Sequence, residues 1–356
     1  MGHASLHATS RAVSGNFNLP VMRKITLVFV LISFCAIAYN QIIKGTILDQ
    51  STKSPIYFAT VYFNGTFVGT YSDQNGNFEI DISKNKSIPL IISALGYYST
   101  TVSDLSSNKY YKIYLKTKIF KLDEVIIIAK GNAKIRRERR ANIKFFRDVF
   151  LGTTLNAQKC EIINENDIMF KYSSSGDTIT AFSLKPLLIE NKALGYKIYY
   201  YLDDFKLSRQ ERYFSYSGNI IFLEDLAIRK EHMKSFERRR EVAFLGSRMH
   251  FFRALWENDL DSTGYTILNI NNNKLCYNDL VIQTDSLTKY LKNIGTLAIS
   301  YYTKNPKTYI TLLQDSVYFN KSGNFDGHGV MWDGEMAIQR IADQLPYEYS
   351  YKKNNR

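Results

Sequence analysis

The chain has 356 residues, of which 45% are hydrophobic and 22% charged, so it carries enough apolar surface for about two packed domains, and a disordered chain is excluded. Its formal net charge is +13, and aromatic residues make up 14%, with 26 Tyr and 22 Phe against only 6 Pro. Because aromatic rings pack well on pleated surfaces, this composition predicts a mainly β protein.

The first 40 residues carry the parts of a secretory signal. Arg23 and Lys24 precede an apolar run at residues 25–34, which the small residues Ala36 and Ala38 follow. The run is too short to cross a bilayer core of about 30 Å, so it is not expected to be a membrane helix.

These features predict that translation starts at Met22, that residues 22–40 are the signal peptide, and that residues 1–21 are an upstream extension. Cleavage is expected between Ala38 and Gln41. The mature chain is then an exported protein of the periplasm or outer membrane, with no transmembrane span.

Loss of residues 1–40 removes three basic and no acidic residues, so the net charge falls from +13 to +10. Nucleic acid is not expected as a partner of an exported protein, whereas lipopolysaccharide phosphates and acidic glycans would attract this charge. Two cysteines remain, Cys160 and Cys276. Export permits a disulfide between them, but the sequence does not show whether they lie close enough to pair.

Residues 41–130 alternate short β-rich runs with turn signals, the pattern of a small β-sandwich. Asn64-Gly65 and Asn75-Gly76 mark two hairpin turns, because these residues tolerate positive φ. The predicted strands are at residues 42–48, 57–63, 67–71, 77–82, 88–94, 97–102, 110–115 and 125–129.

Several phrases of this segment resemble, in order and spacing, the carboxypeptidase-regulatory-like domain. They are KGTILD at 44–49, SPI at 54–56, ATV at 59–61, GTYSD at 69–73, NGNF at 75–78 and SALGY at 93–97. The resemblance implies an Ig-like or prealbumin-like sandwich that is itself non-catalytic.

In Bacteroidetes this domain commonly precedes the plug of TonB-dependent outer-membrane receptors, and LDEVI at 122–126 is similar to the strand that closes it there. The residues after 130 are too few for such a barrel, so we expect a relative that keeps only the leading domain. Peptidase activity is not implied, since His232, His250 and His328 lack the His-x-x-Glu spacing of zinc carboxypeptidases. No metal and no cofactor are expected.

Residues 131–356 are predicted to form an α+β domain of unknown function with several helices. Ile143, Phe146, Val149 and Phe150 recur at helical spacing, which predicts an amphipathic helix with a cationic back. The basic side chains either form a solvated face or meet an anionic surface. They include Arg136, Arg137, Arg139 and Arg140.

Further elements follow in the same domain. A helix is predicted at 224–241, and Ser247 is a good N-cap for another helix directly after it. Strands are predicted at 168–172, 178–184, 196–205, 212–221, 265–270 and 296–302.

The helix that begins after Ser247 holds the sharpest candidate ligand site. Arg248, His250 and Arg253 present planar, multi-donor groups beside Trp256, and such groups suit a carboxylate, a phosphate or sugar hydroxyls. The alternative interpretation is a helix that packs into the core, with its charged residues paired along the helix.

Three phrases of the second domain resemble the C-terminal part of exported Bacteroidetes proteins that begin with this sandwich. They are IENKALGY at 189–196, GSRMHFFRAL at 246–255 and RIADQLP at 340–346. The resemblance implies a shared architecture and no mechanism, because that group is of uncharacterised function.

Enzyme chemistry has weak support. No Gly-x-Ser-x-Gly, His-Glu-x-x-His, phosphate loop or dinucleotide fingerprint occurs, and SLTK at 286–289 lacks the partner motifs of penicillin-recognising enzymes. The acid pairs Asp203-Asp204 and Asp259/Asp261 would suit glycoside hydrolysis but are more typical of solvated turns.

Two functions stay open at this point. The sequence favours a non-catalytic envelope protein that binds a partner protein or a glycan, because it has a sandwich module and no catalytic signature. The alternative is a hydrolase of glycans or peptides whose site is formed by dispersed residues of the second domain. The glycine-rich residues 323–334 are interpreted as a turn rather than as a ligand loop.

Overall fold

The computed structural model of the chain describes residues 41–106, 109–118, 133–173, 176–208, 210, 213–225, 230–285, 288–303, 305 and 307–351. The upstream extension, the signal peptide and the strand predicted at 125–129 lie outside these residues. The described chain is mainly β, as the composition predicts. Residues from Ile42 onward form one compact unit.

Residues 42–115 form a two-sheet sandwich. Its strands are β1 (Ile42–Asp49), β2 (Thr60–Phe63), β3 (Gly69–Tyr71), β4 (Asn77–Asp81), β5 (Leu90–Ser93), β6 (Thr100–Val102) and β7 (Tyr110–Leu115). One sheet has the order β4-β1-β7 and the other β3-β2-β5-β6. β1 pairs antiparallel with β4 and parallel with β7, and alternate residues of β1 and β7 point into a core shared by both sheets.

β2 begins three residues later than the sequence predicts. Phe58 has a φ of 59°, in the left-handed region, and this conformation interrupts the extended chain before Thr60. The Asn64-Gly65 turn follows β2 as predicted, with Gly65 at a φ of 76°.

The second part of the chain opens with the predicted amphipathic helix, α1 (Ala133–Phe150). Phe146 and Phe150 are fully buried, and Val149 is nearly so. They pack on a six-stranded antiparallel sheet of order β8-β11-β12-β10-β9, in which β13 also pairs with β12. The strands are β8 (Cys160–Ile162), β9 (Met169–Tyr172), β10 (Thr178–Phe182), β11 (Leu187–Asn191), β12 (Tyr196–Ser208) and β13 (Tyr213–Asp225).

The helix predicted at 224–241 is wrong at its start. β13 continues to Asp225, because Ile220 and Phe222 alternate with polar residues and pair with β12, and the helix α2 is Lys230–Phe244. Near the end of α2, Arg240 Nε donates to the carbonyl of Leu194 at 2.7 Å, so this arginine holds the turn between β11 and β12.

The remaining elements surround a second core. They are α3 (Arg248–Trp256), β14 (Tyr265–Leu268), α4 (Tyr277–Leu280), β15 (Val281–Gln283), β16 (Lys289–Lys292), β17 (Leu297–Tyr301), β18 (Thr308–Leu312), β19 (Ser316–Phe319), β20 (Val330–Gly334) and α5 (Glu335–Ile338). The sheets have the orders β14-β17-β18-β20 and β15-β16-β19. Ser247 caps α3 as predicted, and Phe251, Phe252 and Leu255 of α3 are fully buried in this core. Single 3-10 turns lie at Ala157–Lys159, Glu165–Asp167, Gly327–Gly329 and Ile341–Asp343.

The Asn64-Gly65 turn joins the sandwich to the rest of the unit. The Gly65 N–H donates to the Ile220 carbonyl at 2.7 Å, and the Gly65 carbonyl accepts from the Tyr347 N–H at 2.8 Å. Thr66 forms a parallel bridge with Ile221. The turn is therefore hydrogen-bonded to β13 on one side and to the C-terminal residues on the other.

An apolar contact also links the sandwich to β13. Tyr62 and Ile91 of the sandwich are buried against Ile221 of β13. The Tyr62 ring also stacks on the Tyr201 ring, with their centroids 5.4 Å apart. No described helix combines the length and the apolar character that a bilayer-spanning helix needs.

Candidate functional site

A basic groove runs along α1. The cavity has a volume of about 710 Å³, with Ile143 and Leu151 among its apolar lining, and the turn that holds Glu165 and Asn166 contributes to its wall. Its basic side chains are Arg136, Arg139, Arg140, Lys144 and Arg147. We call these residues and this cavity the α1 groove.

Helix geometry orders the charges of the α1 groove. Arg136, Arg140 and Lys144 are spaced four residues apart and so share one stripe of the helix, with about 6 Å of rise between neighbours. Arg137 lies off this stripe and is not part of the groove lining. Of the four predicted anion-binding arginines, the structure therefore brings three together and leaves one outside.

One of these arginines already has partners within the protein. Arg139 donates to the carbonyl of Ile168 at 3.0 Å and to those of Glu165 and Asn166 at 3.3 and 3.2 Å. It therefore holds the turn of the opposite wall against α1. The only hint of this in the sequence is the helical spacing of Arg139, because its partners lie 26 to 29 residues further along the chain.

The other charges of the α1 groove are more available. Arg147 Nη1 lies 3.9 Å from Glu165 Oε2, which is a weak, half-exposed pair. Arg136, Arg140 and Lys144 make no ion pair with an acidic side chain among the described residues. Five basic side chains line the groove against two acidic ones, Asp148 and Glu165, so the groove favours an anionic ligand.

The predicted ligand residues of α3 have partners inside the protein. Arg248 Nε donates to the Met336 carbonyl at 2.9 Å, and its guanidinium lies 4.7 Å from the centre of the Trp332 ring. Burial lowers the pKa of Arg248 to about 10, so the group still carries its charge at neutral pH.

His250 is only 7% exposed. Its Nδ1 accepts from the Gly246 N–H at 3.2 Å and lies 3.1 Å from the Tyr265 hydroxyl. Burial, together with the nearby charge of Arg253, lowers the pKa of His250 to about 4, so the ring is neutral at pH 7.

All three guanidinium nitrogens of Arg253 donate to backbone carbonyls. Nε donates to Ser322 at 3.0 Å, Nη1 to Tyr349 at 2.7 Å and Nη2 to Tyr347 at 3.0 Å. Trp256 is half-buried on the second core. The four predicted residues thus lie on one helix as expected, yet their observed contacts are internal, and their role in ligand binding stays a prediction.

The cysteines do not form the disulfide that export would permit. Both are free thiols: Cys160 is buried in β8, and Cys276 is exposed at the N-cap of α4. Burial raises the pKa of the Cys160 thiol to about 12, so this cysteine is not a reactive thiolate.

The paired acidic residues that the sequence singles out make hydrogen bonds within turns or to single neighbouring side chains. Asp259 accepts from the Ser262 hydroxyl, and Asp261 pairs with Lys274 at 2.7 Å. Asp203 accepts from the Asn219 amide at 3.0 Å. Among the residues described, no group of three His, Cys, Asp or Glu side chains is arranged to hold a metal ion.

Two weaker motifs also have structural roles. In the SLTK match, Ser286 lies outside the described residues, and Lys289 is a buried strand residue that donates to the Trp256 carbonyl at 2.6 Å. The glycine-rich residues 323–334 form a turn followed by β20, in which Phe325 stacks on Phe252 with centroids 4.5 Å apart.

Two solved structures align weakly with the chain. A 9R-lipoxygenase from Cyanothece PCC8801 aligns at 10% identity and a TM-score of 0.18, covering 60% of this chain and 48% of that one. A putative membrane-associated protein of unknown function from Bacteroides fragilis NCTC 9343 aligns at 11% identity and a TM-score of 0.16, covering 83% and 97%. At such scores neither likeness supports a statement about fold.

Sequence comparisons are informative for the sandwich. The TonB-dependent receptor SusC of Bacteroides thetaiotaomicron is 28% identical over 146 residues, which is 40% of this chain and 14% of the receptor. The chain thus spans only a small part of that relative's length. Residues 43–127 match the CarboxypepD_reg-like domain, which confirms the resemblance of the first domain.

Proposed function

We propose that this chain is an accessory protein of the cell envelope that binds an anionic partner in the α1 groove and has no catalytic role. The CarboxypepD_reg-like match and the partial likeness to an outer-membrane receptor support the envelope setting. Domains of this kind are regulatory modules without catalysis. The observation that carries the proposal is the row of basic residues Arg136, Arg140 and Lys144, which make no ion pair with an acidic side chain in the part of the chain that the structure describes.

The ligand chemistry follows from the groove. Its cations lie about 6 Å apart along one helix stripe, which suits a ligand that repeats its negative charges along a chain or across a surface. Lipid phosphates and the carboxylates of acidic glycans both have this property. Arg139 is committed to the groove wall, so it shapes the site, while Arg140 and Lys144 contact the ligand.

The test is a pair of charge reversals on the same helix. Arg140→Glu changes the α1 groove, and Arg137→Glu makes the same change in charge on an exposed residue outside it. Each basic residue near an anionic membrane contributes about 1 kcal/mol, so Arg140→Glu should weaken binding about tenfold or more, and Arg137→Glu much less. Raising the salt concentration should weaken binding further, because the screening length falls from about 10 Å at 0.1 M to about 3 Å at 1 M.

The probes separate the two sources of negative charge. Flotation with phosphatidylglycerol vesicles measures binding to lipid phosphate, and gel retardation in polygalacturonate measures binding to a carboxylate glycan. Retention of the mature chain by either probe, lost in Arg140→Glu, supports the proposal. If Arg140→Glu and Arg137→Glu weaken binding equally, binding depends on the net charge of the protein and not on the α1 groove. If neither probe retains the mature chain, the proposal is refuted.

A further inference from the structure

The sandwich displays an unusual pair of exposed rings. Phe58 is 60% exposed and Tyr71 is 45% exposed, and the two rings stack with centroids 4.5 Å apart and planes 7° apart. Tyr57 is 62% exposed beside them. Large rings that pack with each other while facing solvent contribute little to a core, so their position needs another explanation.

The backbone conformation of Phe58 is also unusual. Its φ of 59° is in the left-handed region, which costs a bulky residue about 1 to 2 kcal/mol. The conformation is fixed from both sides, because the Phe58 N–H donates to the Ser72 carbonyl at 3.1 Å and the Ala59 N–H donates to the Ser72 hydroxyl at 2.9 Å. The protein thus holds a strained residue so that its ring points outward.

Rings from β12 extend this surface. Tyr199 and Tyr201 are alternate residues of β12 and share one face of the strand, and Asp203 follows them at a β-bulge between Leu202 and Asp204. Burial and, to a smaller extent, the nearby Tyr199 raise the pKa of Tyr71. The Tyr201 hydroxyl donates to Thr60 Oγ1 at 2.9 Å, which fixes this end of β12 against the sandwich.

A polar group ends the row of rings. Asp203 is an exposed residue, and the pKa of its carboxyl is raised mainly because neighbouring protein atoms displace water from it. Asn219 donates to it at 3.0 Å, and the charges of Lys118 and His328 offset part of its pKa shift. Lys118 lies near the Tyr98 ring, 5.5 Å from its centre.

We propose that Phe58, Tyr71 and Tyr199, together with Asp203 and Asn219, bind a neutral glycan. We call these five residues the aromatic strip. A pyranose ring has an apolar C–H face that stacks on aromatic rings and hydroxyl groups at its rim that pair with carboxylate and amide groups.

Charge narrows the class of ligand for the aromatic strip. The carboxylate of Asp203 repels anions, and the nearby ammonium of Lys118 balances it, so the local charge favours an uncharged ligand. The strip shares no residue with the α1 groove, and its ligand is independent of the anionic partner proposed there.

Phe58→Gly gives the sharpest test. Glycine adopts this φ without strain, so the variant should melt at the same temperature as the wild type or higher, while its affinity for a neutral glycan falls about tenfold or more. Asp203→Asn should weaken binding severalfold, because the amide can still accept from Asn219 but is a weaker acceptor for sugar hydroxyls. Binding is measured by gel retardation in dextran, laminarin, xyloglucan and galactomannan with the mature chain.

Two matched controls accompany these variants. Tyr309→Ala removes a ring of β18 that is 44% exposed, and Arg140→Glu changes the α1 groove; both should bind the glycan as the wild type does. The proposal is supported if at least one glycan retards the wild type and Tyr309→Ala but does not retard Phe58→Gly. It is overturned if no glycan retards the wild type, if Phe58→Gly binds equally well, or if that variant melts lower, since the ring would then be a stabilising part of the fold.

Discussion

A guanidinium can satisfy several backbone carbonyls at once, and several arginines of this protein do so. Arg139, Arg240 and Arg253 each donate to carbonyls of two or more residues. Each joins a helix to a turn that lies far away in the sequence. A charged residue on a helix can thus be an internal connection rather than a surface group.

His250 illustrates the same point for a titratable ring. Its Nδ1 accepts from Gly246 and faces the Tyr265 hydroxyl, and the buried ring has a pKa of about 4 against an ordinary value of 6.5. The neutral ring is therefore the form that the fold stabilises. In the unfolded chain the ring takes up a proton below pH 6.5, so the protein loses stability as the pH falls from 6.5 towards 4.

We predict that His250→Asn reduces this loss. The amide oxygen of asparagine can accept in place of Nδ1 but does not titrate. Between pH 7.5 and 5 the wild type should lose about 2 kcal/mol more of its free energy of unfolding than the variant does. Urea unfolding at the two pH values measures this difference, and identical pH dependence in the two proteins would contradict the assignment of a buried neutral ring.

At the level of elements, α3 holds residues 347–349 in place. Arg253 binds the carbonyls of Tyr347 and Tyr349, and the Tyr349 ring packs on Phe244 with centroids 5.4 Å apart. The Tyr347 hydroxyl donates to Asn324 at 3.0 Å. The C-terminal residues are therefore fixed by side-chain contacts, although they form no strand in the described structure.

We predict that Arg253→Lys destabilises the protein by about 2 kcal/mol, because an ammonium group cannot replace the planar fork and leaves carbonyls without donors. The exposed Arg140→Lys is the control and should change stability by less than about 0.5 kcal/mol. Chemical denaturation gives both values. If Arg253→Lys leaves stability unchanged and instead weakens binding of a co-purifying partner, the ligand role that the sequence predicts for α3 gains support.

Local signals predicted several elements well. The buried stripe of α1, the Ser247 cap of α3 and the long strand that became β12 all depend on neighbours within a few residues. The sequence pattern placed the start of α2 too early, because the charged residues at this boundary are typical of a helix. Pairing with β12 instead keeps the chain in β13 as far as Asp225. Tyr199 of the aromatic strip lies more than 100 residues after Phe58 and Tyr71, so no local pattern in the sequence could have brought it to them.

At the level of the whole molecule, the sandwich has its own core and also contributes to a shared one. Ile47, Val61 and Phe63 are buried within the sandwich, whereas Tyr62 is buried at the contact with the neighbouring sheet. The boundary predicted at residue 130 lies outside the described residues, and independent folding of residues 41–130 stays a prediction.

We predict that residues 41–130 alone unfold cooperatively and that Gly65→Ala distinguishes the isolated sandwich from the whole chain. A Cβ at Gly65 would lie 2.5 Å from the Tyr347 ring, in addition to the strain of its positive φ. The isolated sandwich has only the strain, about 1 kcal/mol, so the variant should lower the melting temperature more in the whole chain. An equal effect in both would mean that the Tyr347 contact contributes nothing.

The position of the Asn64-Gly65 turn also sets an order of events during synthesis. The Phe67 N–H donates to the side chain of Glu348, 281 positions further along the chain, and the Gly65 carbonyl accepts from the Tyr347 N–H. A ribosome adds about 5 to 20 residues per second, so the sandwich is complete well before its last partners exist. Tyr62 and Ile91 stay uncovered until β13 supplies Ile221, and a nascent chain stalled short of residue 221 leaves them available to chaperones.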